Sequence, residues 1–391
     1  MIGFLKHIKQ SVRIRTRFKN YIRQTNALPK FRILRHASIK SVSPEKIKNF
    51  RVLWPPENKI AISGSASDAR FLAISKYFND GFCSRSEIFA CEVVNALCHV
   101  GTGLVCTDDY MVISDSQMEY RLEYNPEFGW LKPWRIRRLP GTCATINNIF
   151  TTYWWHWVAD CLPRIFLLSR AYPAEKITML VPDGLYQSFY DSLECLLPPT
   201  FSVLRLSANT WVKPERMIFS SYATGRANGF MPGEVRDFMR RTAFAKLGIV
   251  HRQTGKKRLF LSRARMQHCR ILNESELMKL LRRYGFESVQ LETIDFRRQV
   301  ALFHDAEVIA GPHGSNWGNL VWAGEIKILV LYPCHPPETH TFTYSKACGQ
   351  QHFFTAGNEA TPYSDFIVNL ELVENVLQNE MKLEPVDPVQ S

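Results

Sequence analysis

The fold is decided by a stretch that reads RLFLSRARMQHCRILNESELMKLLRRYGFESVQLETIDFRRQVALFHDAEVIAGPHGSNWGNLVWAGEIKILVL, residues 258–331. Short apolar runs alternate in it with segments of helical spacing. Such alternation predicts parallel strands joined by right-handed crossovers. We therefore expect an α/β, Rossmann-like domain here. The predicted strands are 258–262, 286–291, 307–310 and 326–331.

The helices between these strands have marked boundaries. Asn273 is followed three residues later by Glu276, which predicts a capping box at the start of the first helix. Gly285 follows the last apolar position of that helix and is typical of a helix C-terminus. Asp295 is the predicted N-cap of the next helix.

The chain upstream of this stretch is less regular. Apolar runs at 177–181 and 217–220 predict strands, and 150–171 is amphipathic, so we expect another α/β unit. Residues 41–60 contain Pro and Ser and are predicted to be a linker. We therefore divide the chain into an arm (1–45), an N-terminal α/β domain (46–245) and a C-terminal Rossmann-like domain (246–391), whose last helix could pack back on the N-terminal domain.

The net charge of +13 is concentrated at the N-terminus. Residues 1–40 hold 11 of the 49 basic residues and no acidic one, which leaves 38 basic against 36 acidic residues in the rest. The arm also has apolar residues near helical spacing, which suits an anionic membrane surface. A solvated tail or a docked first helix explains the pattern equally well. A basic arm alone provides only non-specific affinity for nucleic acid.

Several protein classes are excluded by composition. No run reaches the roughly 18 apolar residues of a membrane-spanning helix, and the N-terminus lacks the apolar core of a secretory signal. The ten cysteines form no C-x-x-C pair, which argues against a zinc ribbon or a thioredoxin-type centre. We expect them to be reduced and mostly buried.

Two predicted strand ends carry polar residues suited to a ligand. Ligands of open parallel sheets bind at the carboxyl ends of the strands. Arg263 follows the first strand, and the third runs into Gly311-Pro312-His313-Gly314, where a turn at a helix N-terminus suits a phosphate. The spacing is neither that of a dinucleotide fingerprint nor that of a Walker A loop. A structural role of His313 in a tight turn is the alternative.

A second candidate lies in the tryptophan-rich segment 153–164. His156 and Asp160 would lie one turn apart on a helix and share a face, and either could remove a proton from a hydroxyl. The neighbouring tryptophans suit stacking on sugar rings. Core packing of the tryptophans and a structural His–Asp hydrogen bond are the alternatives. A metal site is not supported, because no third potential ligand lies nearby at a spacing typical of metal sites.

These motifs together resemble those of glycosyltransferase family 61, over about residues 145–355. The resemblance implies a GT-B architecture, in which two Rossmann-like domains face each other across a cleft. It also implies an inverting transfer from a nucleotide sugar without a metal cofactor. Trp317 and the Trp154-Trp155 pair depart from the usual pattern. The motifs that carry the resemblance are His156-Trp157, 162–164, Arg263, 270–274, 285–287, 299–303, Ala306, 311–315 and Asn319.

The resemblance also implies that 46–245 is the acceptor-side domain and 246–391 the nucleotide-sugar-binding domain, and it assigns site residues. Asp160 is the expected catalytic base, oriented by His156. The expected acceptor-side residues are Trp155, Trp157 and Arg164. The expected donor-binding residues are Arg263, Gln299, Gly311, His313, Gly314, Ser315 and Asn319.

The implied partners are a nucleotide-sugar donor and a glycan or lipid-linked glycan acceptor. Without a signal or anchor, we expect a cytoplasmic enzyme of capsule or lipopolysaccharide assembly, held at the inner face of the membrane by residues 1–40. The alternative is a catalytically inactive nucleotide- or carbohydrate-binding protein of the same fold. Another nucleotide-dependent Rossmann enzyme is disfavoured by the missing G-x-G-x-x-G.

Overall fold

The first sheet of the protein is mixed and lies in the N-terminal half. The computed structural model describes residues 36–74, 81–117, 135–224, 229–250, 257–333, 339–359 and 365–386. The strands of this half are β1 His36–Ala37, β2 Ile47–Trp54, β3 Glu57–Ala61, β4 Phe82–Arg85, β5 Ile88–Val93, β6 Leu97–His99, β7 Leu104–Cys106, β8 Val112–Ile113, β9 Ile136–Thr145, β10 Ile177–Pro182, β11 Phe201–Leu206 and β12 Trp211–Ser220.

Ten of these strands form one sheet within the described ranges. Its main path runs β1-β8-β7-β6-β12-β9-β10-β11, and β5 joins β2 to β12. The strands β12, β9, β10 and β11 pair in parallel, whereas β5 and β6 pair with β12 in antiparallel fashion. The strands predicted at 177–181 and 217–220 are confirmed as parts of β10 and β12.

The predicted linker at 41–60 is wrong. Most of this segment is strand, because β2 pairs with β5 and β3 pairs with β4. The strand β2 is largely exposed and its pairing with β5 is interrupted by register shifts. An exposed strand of this kind lacks the regular apolar alternation from which a strand is recognised in a sequence.

The second sheet is parallel throughout, as the alternating pattern predicts. Its order is β14-β13-β15-β16-β17, and every neighbouring pair is parallel. The strands are β13 Lys257–Leu261, β14 Phe286–Val289, β15 Ala306–Pro312, β16 Lys327–Tyr332 and β17 Gln351–Ala356, followed by the short pair β18 Asn358–Glu359 and β19 Phe366–Ile367.

The helices pack on both sheets. They are α1 Ala66–Ile74, α2 Trp154–His156, α3 Pro163–Ala171, α4 Gln187–Leu196, α5 Gly233–Leu247, α6 Glu274–Arg282, α7 Phe296–His304, α8 His340–Ala347 and α9 Leu370–Asn375.

Both predicted N-cap residues precede their helices, but only one of them makes a capping hydrogen bond. The side chain of Asp295 accepts a hydrogen bond from the Arg298 backbone N–H at 2.7 Å, at the start of α7. Asn273 occupies the N-cap of α6 as predicted, but the predicted capping box is wrong, because this side chain makes no cap hydrogen bond. It instead donates to the Val368 carbonyl and accepts from the Val368 N–H. Asn273 therefore joins the start of α6 to the C-terminal segment.

Helix α1 comes from the N-terminal half of the chain but packs on the second sheet. Its Phe71 is fully buried and stacks on Phe342 of α8, with ring centroids 4.5 Å apart. The same ring contacts Phe354 of β17 edge-on at 5.1 Å. The buried carboxylate of Asp68 pairs with Lys346 at 2.5 Å. The boundary near residue 245 in the sequence is therefore not a boundary in space for this helix.

The last helix also packs on the second sheet. A π-helical turn, Val376–Glu380, follows α9. Its apolar side chains Val376 and Leu377 lie in one buried cluster with Phe260 of β13 and Leu281 of α6. The expectation that this helix packs back on the N-terminal domain is thus replaced by packing on its own sheet. Its one described ion pair to an N-terminal element joins Glu380 to Arg70 at 2.7 Å.

Most of the predicted basic arm lies outside the described residues. Its last part is folded, since β1 pairs with β8 and Ile39 is buried. No helix within the described ranges has the length and apolar character needed to cross a membrane. The described cysteines form no disulfide with one another, and all of them except Cys269 are buried, in agreement with the prediction.

We predict that Phe71→Ala destabilises the whole protein, because it leaves a cavity between α1, α8 and β17. Truncation of a buried Phe costs about 3–5 kcal/mol. Phe50→Ala is the matched control, since the Phe50 ring is 39% exposed. Thermal unfolding of the two variants should show a clearly larger fall in Tm for Phe71→Ala. Equal Tm values would contradict the packing of α1 on the second sheet.

Candidate active site

The tryptophan-rich segment forms a helix that widens in its middle. After α2, residues Trp157–Cys161 make a π-helical turn, in which the Leu162 N–H donates to the Trp157 carbonyl at 2.9 Å. Pro163 follows immediately and begins α3. Proline has no N–H and its ring clashes with the carbonyl four residues back, so an α-helical bond cannot continue there. Widened turns of this kind are frequent at functional sites.

His156 and Asp160 are brought together on this helix. The His156 Nδ1 and Asp160 Oδ2 atoms lie 2.7 Å apart. The Asp160 side chain is 4% exposed and that of His156 is 20% exposed. The His156 ring stacks on Phe150, with centroids 4.6 Å apart and planes at 25°. The imidazole is therefore held on one side by an aromatic ring and on its edge by a carboxylate.

Arg164 lies one turn further along and is fully buried. Its guanidinium donates to the Ser220 carbonyl at 2.6 Å and to the Asn147 carbonyl at 3.2 Å. It also lies 4.9 Å from the ring centroid of Tyr222. Burial lowers its pKa from the usual value. These contacts favour a structural role, joining the helix to the end of β12, over the expected contact with an acceptor.

On the second sheet, Arg263 and Gly314 meet as the sequence predicts. Arg263 follows β13 and Gly314 follows β15, and a β-carbon at Gly314 would overlap the Arg263 guanidinium. A side chain at this position would therefore displace the guanidinium from its place against the turn. Arg263 is 8% exposed and donates twice to the His268 carbonyl, at 3.3 and 3.1 Å. Burial lowers the pKa of Arg263.

The turn beside Arg263 is open to solvent. Residues 313–316 are half-buried, between a buried strand end and a buried helix. The His313 ring stacks on Tyr332, with centroids 5.4 Å apart, and its backbone N–H donates to the Leu331 carbonyl. Ser315 begins the 3-10 helix Ser315–Trp322. This turn is thus the part of the strand–turn–helix unit that a ligand can reach.

Three other expected donor residues lie in the protein interior. Gln299 donates to the carbonyls of Leu291 and Ile294, and Asn319 donates to the Gln299 side-chain oxygen at 3.2 Å. Gly311 lies inside β15, where a β-carbon would be 3.0 Å from that of Leu261. The contacts of these three residues favour structural roles in the interior. None of the three lies at the open turn.

The two expected acceptor-side tryptophans have different environments. Trp157 is fully buried and donates its indole N–H to Ser192 at 2.8 Å. Trp155 is half-buried and packs on Tyr344, with ring centroids 4.9 Å apart. Only Trp155 of this pair has surface left for a substrate.

The helix that carries His156 packs against the unit that carries Gly314, and the backbones approach closely at Gly318. A β-carbon at Gly318 would lie 3.2 Å from the Trp155 Cα and 3.5 Å from the Trp154 carbonyl oxygen. The Tyr344 hydroxyl donates to the Gly318 carbonyl at 3.2 Å. The absence of a side chain at Gly318 therefore sets how closely the two candidate half-sites approach.

Two residues that contact the His156–Asp160 pair were not identified from the sequence. The Thr224 hydroxyl donates to Asp160 Oδ1 at 3.3 Å, and Phe150 covers one face of the His156 ring. Thr224 is 64 residues away in the chain and belongs to no motif, so no sequence signal marks it. Phe150 lies in the same amphipathic stretch and was recognisable only as an apolar residue.

The described residues contain no group of three or more His, Cys, Asp or Glu side chains that could hold a metal ion. Arg263 contributes a positive charge beside the open turn. Its guanidinium is planar and presents several N–H donors, a geometry that suits phosphate oxygens.

Comparison with known families identifies the domain that contains both half-sites. Residues 154–330 match the family described as Glycosyltransferase 61. The chain carries a glycosyltransferase 61 domain. The enzyme class predicted from the sequence, a glycosyltransferase, is thus confirmed, and the family implies a nucleotide-sugar donor and a glycan acceptor in general terms. No curated protein sequence gives a significant match to the chain.

We predict that Gly318→Ala separates the two half-sites of this glycosyltransferase and lowers its Tm. The added methyl group meets backbone atoms of the helix, and overpacking costs about 1–3 kcal/mol. Gly324→Ala is the control, because a β-carbon at Gly324 meets nothing within 4 Å. Thermal unfolding should therefore show a lower Tm for Gly318→Ala only. An unchanged Tm in that variant would contradict the close approach.

Proposed function

We propose that the protein transfers a sugar from a nucleotide-sugar donor to a hydroxyl of a glycan or lipid-linked glycan, with inversion at the anomeric carbon. The observation that carries this proposal is the contact between Arg263 and Gly314. It lies at the carboxyl end of a parallel sheet, where open α/β sheets bind their ligands. It also lies within the region that matches the family.

The donor side is supported by the charge at this contact. A buried guanidinium is desolvated, and an anion that replaces the lost water stabilises it. A diphosphate is such an anion and accepts several hydrogen bonds from the guanidinium at once. The open turn at 313–316 gives it access. We therefore place the donor diphosphate against Arg263, with the sugar directed towards the helix that carries His156.

The acceptor side is supported by the His156–Asp160 pair. In the proposed reaction, the acceptor oxygen attacks the anomeric carbon and its proton passes to this pair. A bond forms between the acceptor oxygen and the anomeric carbon as the bond from that carbon to the diphosphate oxygen breaks. The electron pair leaves with the diphosphate, and Arg263 offsets the charge that develops there. The proposed transfer therefore needs no metal cofactor.

For the whole chain we propose a GT-B arrangement, in which 46–245 and 246–391 face each other across the reaction cleft. The mixed α/β fold with two sheets supports this proposal. We also propose that the basic N-terminal segment binds anionic lipid at the inner face of the membrane, where lipid-linked acceptors of capsule or lipopolysaccharide assembly are available. The concentration of basic residues in 1–40 supports this location.

We predict that Arg263→Ala weakens donor binding by about 10–100-fold, since a hydrogen bond to a charged group contributes about 1.5–3 kcal/mol. Isothermal calorimetry with a panel of nucleotide sugars and nucleoside diphosphates measures this effect. Arg282→Ala removes an equal charge from an exposed site on the same domain and should bind normally.

The same panel decides between the enzyme and its inactive alternative. Donor hydrolysis or transfer by the wild type would support the proposal. Binding without turnover would favour a catalytically inactive binding protein. Equal affinity of the wild type and Arg263→Ala would show that the diphosphate does not bind at Arg263.

We predict that deletion of residues 1–35 releases the protein from anionic vesicles and leaves donor affinity unchanged. The deletion ends at residue 35 because β1 and Ile39 are part of the folded domain. Co-sedimentation with phosphatidylserine vesicles, with phosphatidylcholine vesicles as the control, should show salt-sensitive binding of the full chain only. Unchanged binding of the truncated protein would contradict the membrane role of the arm.

A further inference from the structure

We propose that His156 is the residue that takes the proton from the acceptor hydroxyl, and that Asp160 and Thr224 are positioning residues that hold its ring. This inference rests on the proposed function and reverses the roles expected from the family resemblance. It is carried by the burial of Asp160, by the contacts of both its oxygens and by the exposure of His156.

The Asp160 carboxylate is enclosed by protein. Its Oδ2 atom lies 2.7 Å from His156 Nδ1, and its Oδ1 atom accepts from Thr224 at 3.3 Å. Only 4% of the side chain is exposed. A base must reach the proton that it removes directly or through one water. An enclosed carboxylate with both oxygens in contact with protein groups is poorly placed to meet an acceptor hydroxyl.

His156 has the exposure that Asp160 lacks. One fifth of its side chain is accessible. Phe150 covers one face of the ring, and Asp160 lies at the Nδ1 edge. The two nitrogens of an imidazole lie on different edges, so Nε2 points away from Asp160. The contacts at Nδ1 and on the ring face therefore fix the direction in which Nε2 presents its lone pair.

Charges around the pair suit a histidine that becomes positive during the reaction. Asp160 is buried near the phenols of Tyr222 and Tyr344, and its negative charge contributes to the raised pKa of both, after the larger effect of burial. When His156 takes up a proton, its ring becomes a positively charged imidazolium. The adjacent Asp160 carboxylate stabilises this charge.

The proton balance of the step follows. Before transfer, the His156 Nδ1–H donates to Asp160 and the Nε2 lone pair accepts a hydrogen bond from the acceptor hydroxyl. As the acceptor oxygen bonds to the anomeric carbon, its proton moves to Nε2. Asp160 stays ionised throughout. The imidazolium then releases its proton to solvent on its exposed side, after the nucleoside diphosphate has left.

The first test needs no substrate. Long-range ¹H–¹⁵N NMR on protein with ¹⁵N-labelled histidine reports which ring nitrogen carries hydrogen, and His156→Gln identifies the signal. At pH 8.5 we expect the neutral Nδ1–H form at His156, and Asp160→Asn should change that form. A doubly protonated ring at this pH, or hydrogen on Nε2 alone, overturns the proposal.

The second test separates the two candidate bases by chemical rescue, with the donor found in the calorimetric panel. We expect His156→Ala to lose at least about 100-fold in kcat with unchanged donor affinity, and added imidazole to restore at least tenfold. Asp160→Ala should lose activity without rescue by formate. Thr224→Val should lower kcat several-fold with KM unchanged, whereas Thr224→Ser should retain activity.

The opposite result is as informative. Rescue of Asp160→Ala by formate, together with no rescue of His156→Ala by imidazole, assigns the base to Asp160 and overturns the proposal. A wild type that neither binds nor turns over any nucleotide sugar contradicts the proposed function, whereas the NMR result still decides the tautomer on which this inference depends.

Discussion

The close approach at Gly318 is the constraint on which the candidate site depends. The helix that carries His156 and the 3-10 helix Ser315–Trp322, which follows a strand of the second sheet, meet there. Their backbones are in contact because no side chain separates them. On one side lies the widened helix with His156 and Asp160, and on the other lies the turn with Gly314. Packed interiors resist displacement, so this contact transmits a fixed spacing to both half-sites. A transferase needs such a spacing, because misplacement of the reacting atoms by about 1 Å can cost 100-fold in rate.

Burial determines the role of each charged group near this contact. Arg164 is enclosed and makes all its described hydrogen bonds to Ser220 and Asn147. It therefore joins its helix to these two residues and has a structural role. Arg263 is nearly as buried, yet it lies against an open turn. The two arginines both have pKa values lowered by burial, and they differ in what each guanidinium faces.

The parallel sheet could be predicted from the sequence because its strands and helices alternate with clear periods between Arg258 and Leu331. The first sheet could be predicted only in part. Its central strands are apolar, whereas β2 is an exposed strand with Lys48 and Arg51 on it, and such an edge strand does not show a buried pattern. The capping hydrogen bond of Asn273 is absent because its side chain bonds instead to the backbone of Val368, 95 residues away along the chain.

The candidate site shows the same limit. The sequence could pair His156 with Asp160 because they lie one helical turn apart, and Arg263 with Gly314 because each follows a predicted strand; their roles in binding and catalysis stay predictions. Gln299 and Asn319 belong to the same motifs, yet they bond to each other in the interior. Neither motif spacing nor residue type distinguishes a polar residue that binds a ligand from one that satisfies a buried carbonyl. Thr224 reaches Asp160 only through the folding of a distant loop.

Helix α1 has a consequence for the order of folding during synthesis. Ser67 donates to the His352 carbonyl and Arg70 to the Phe354 carbonyl, 285 and 284 residues further along the chain. At roughly 5–20 residues per second, the ribosome delivers β17 about 15–60 s after α1. During that interval the apolar face with Phe71 has no native partner. The nascent chain therefore carries an unsatisfied surface through most of its translation, and the second sheet is completed only near the end.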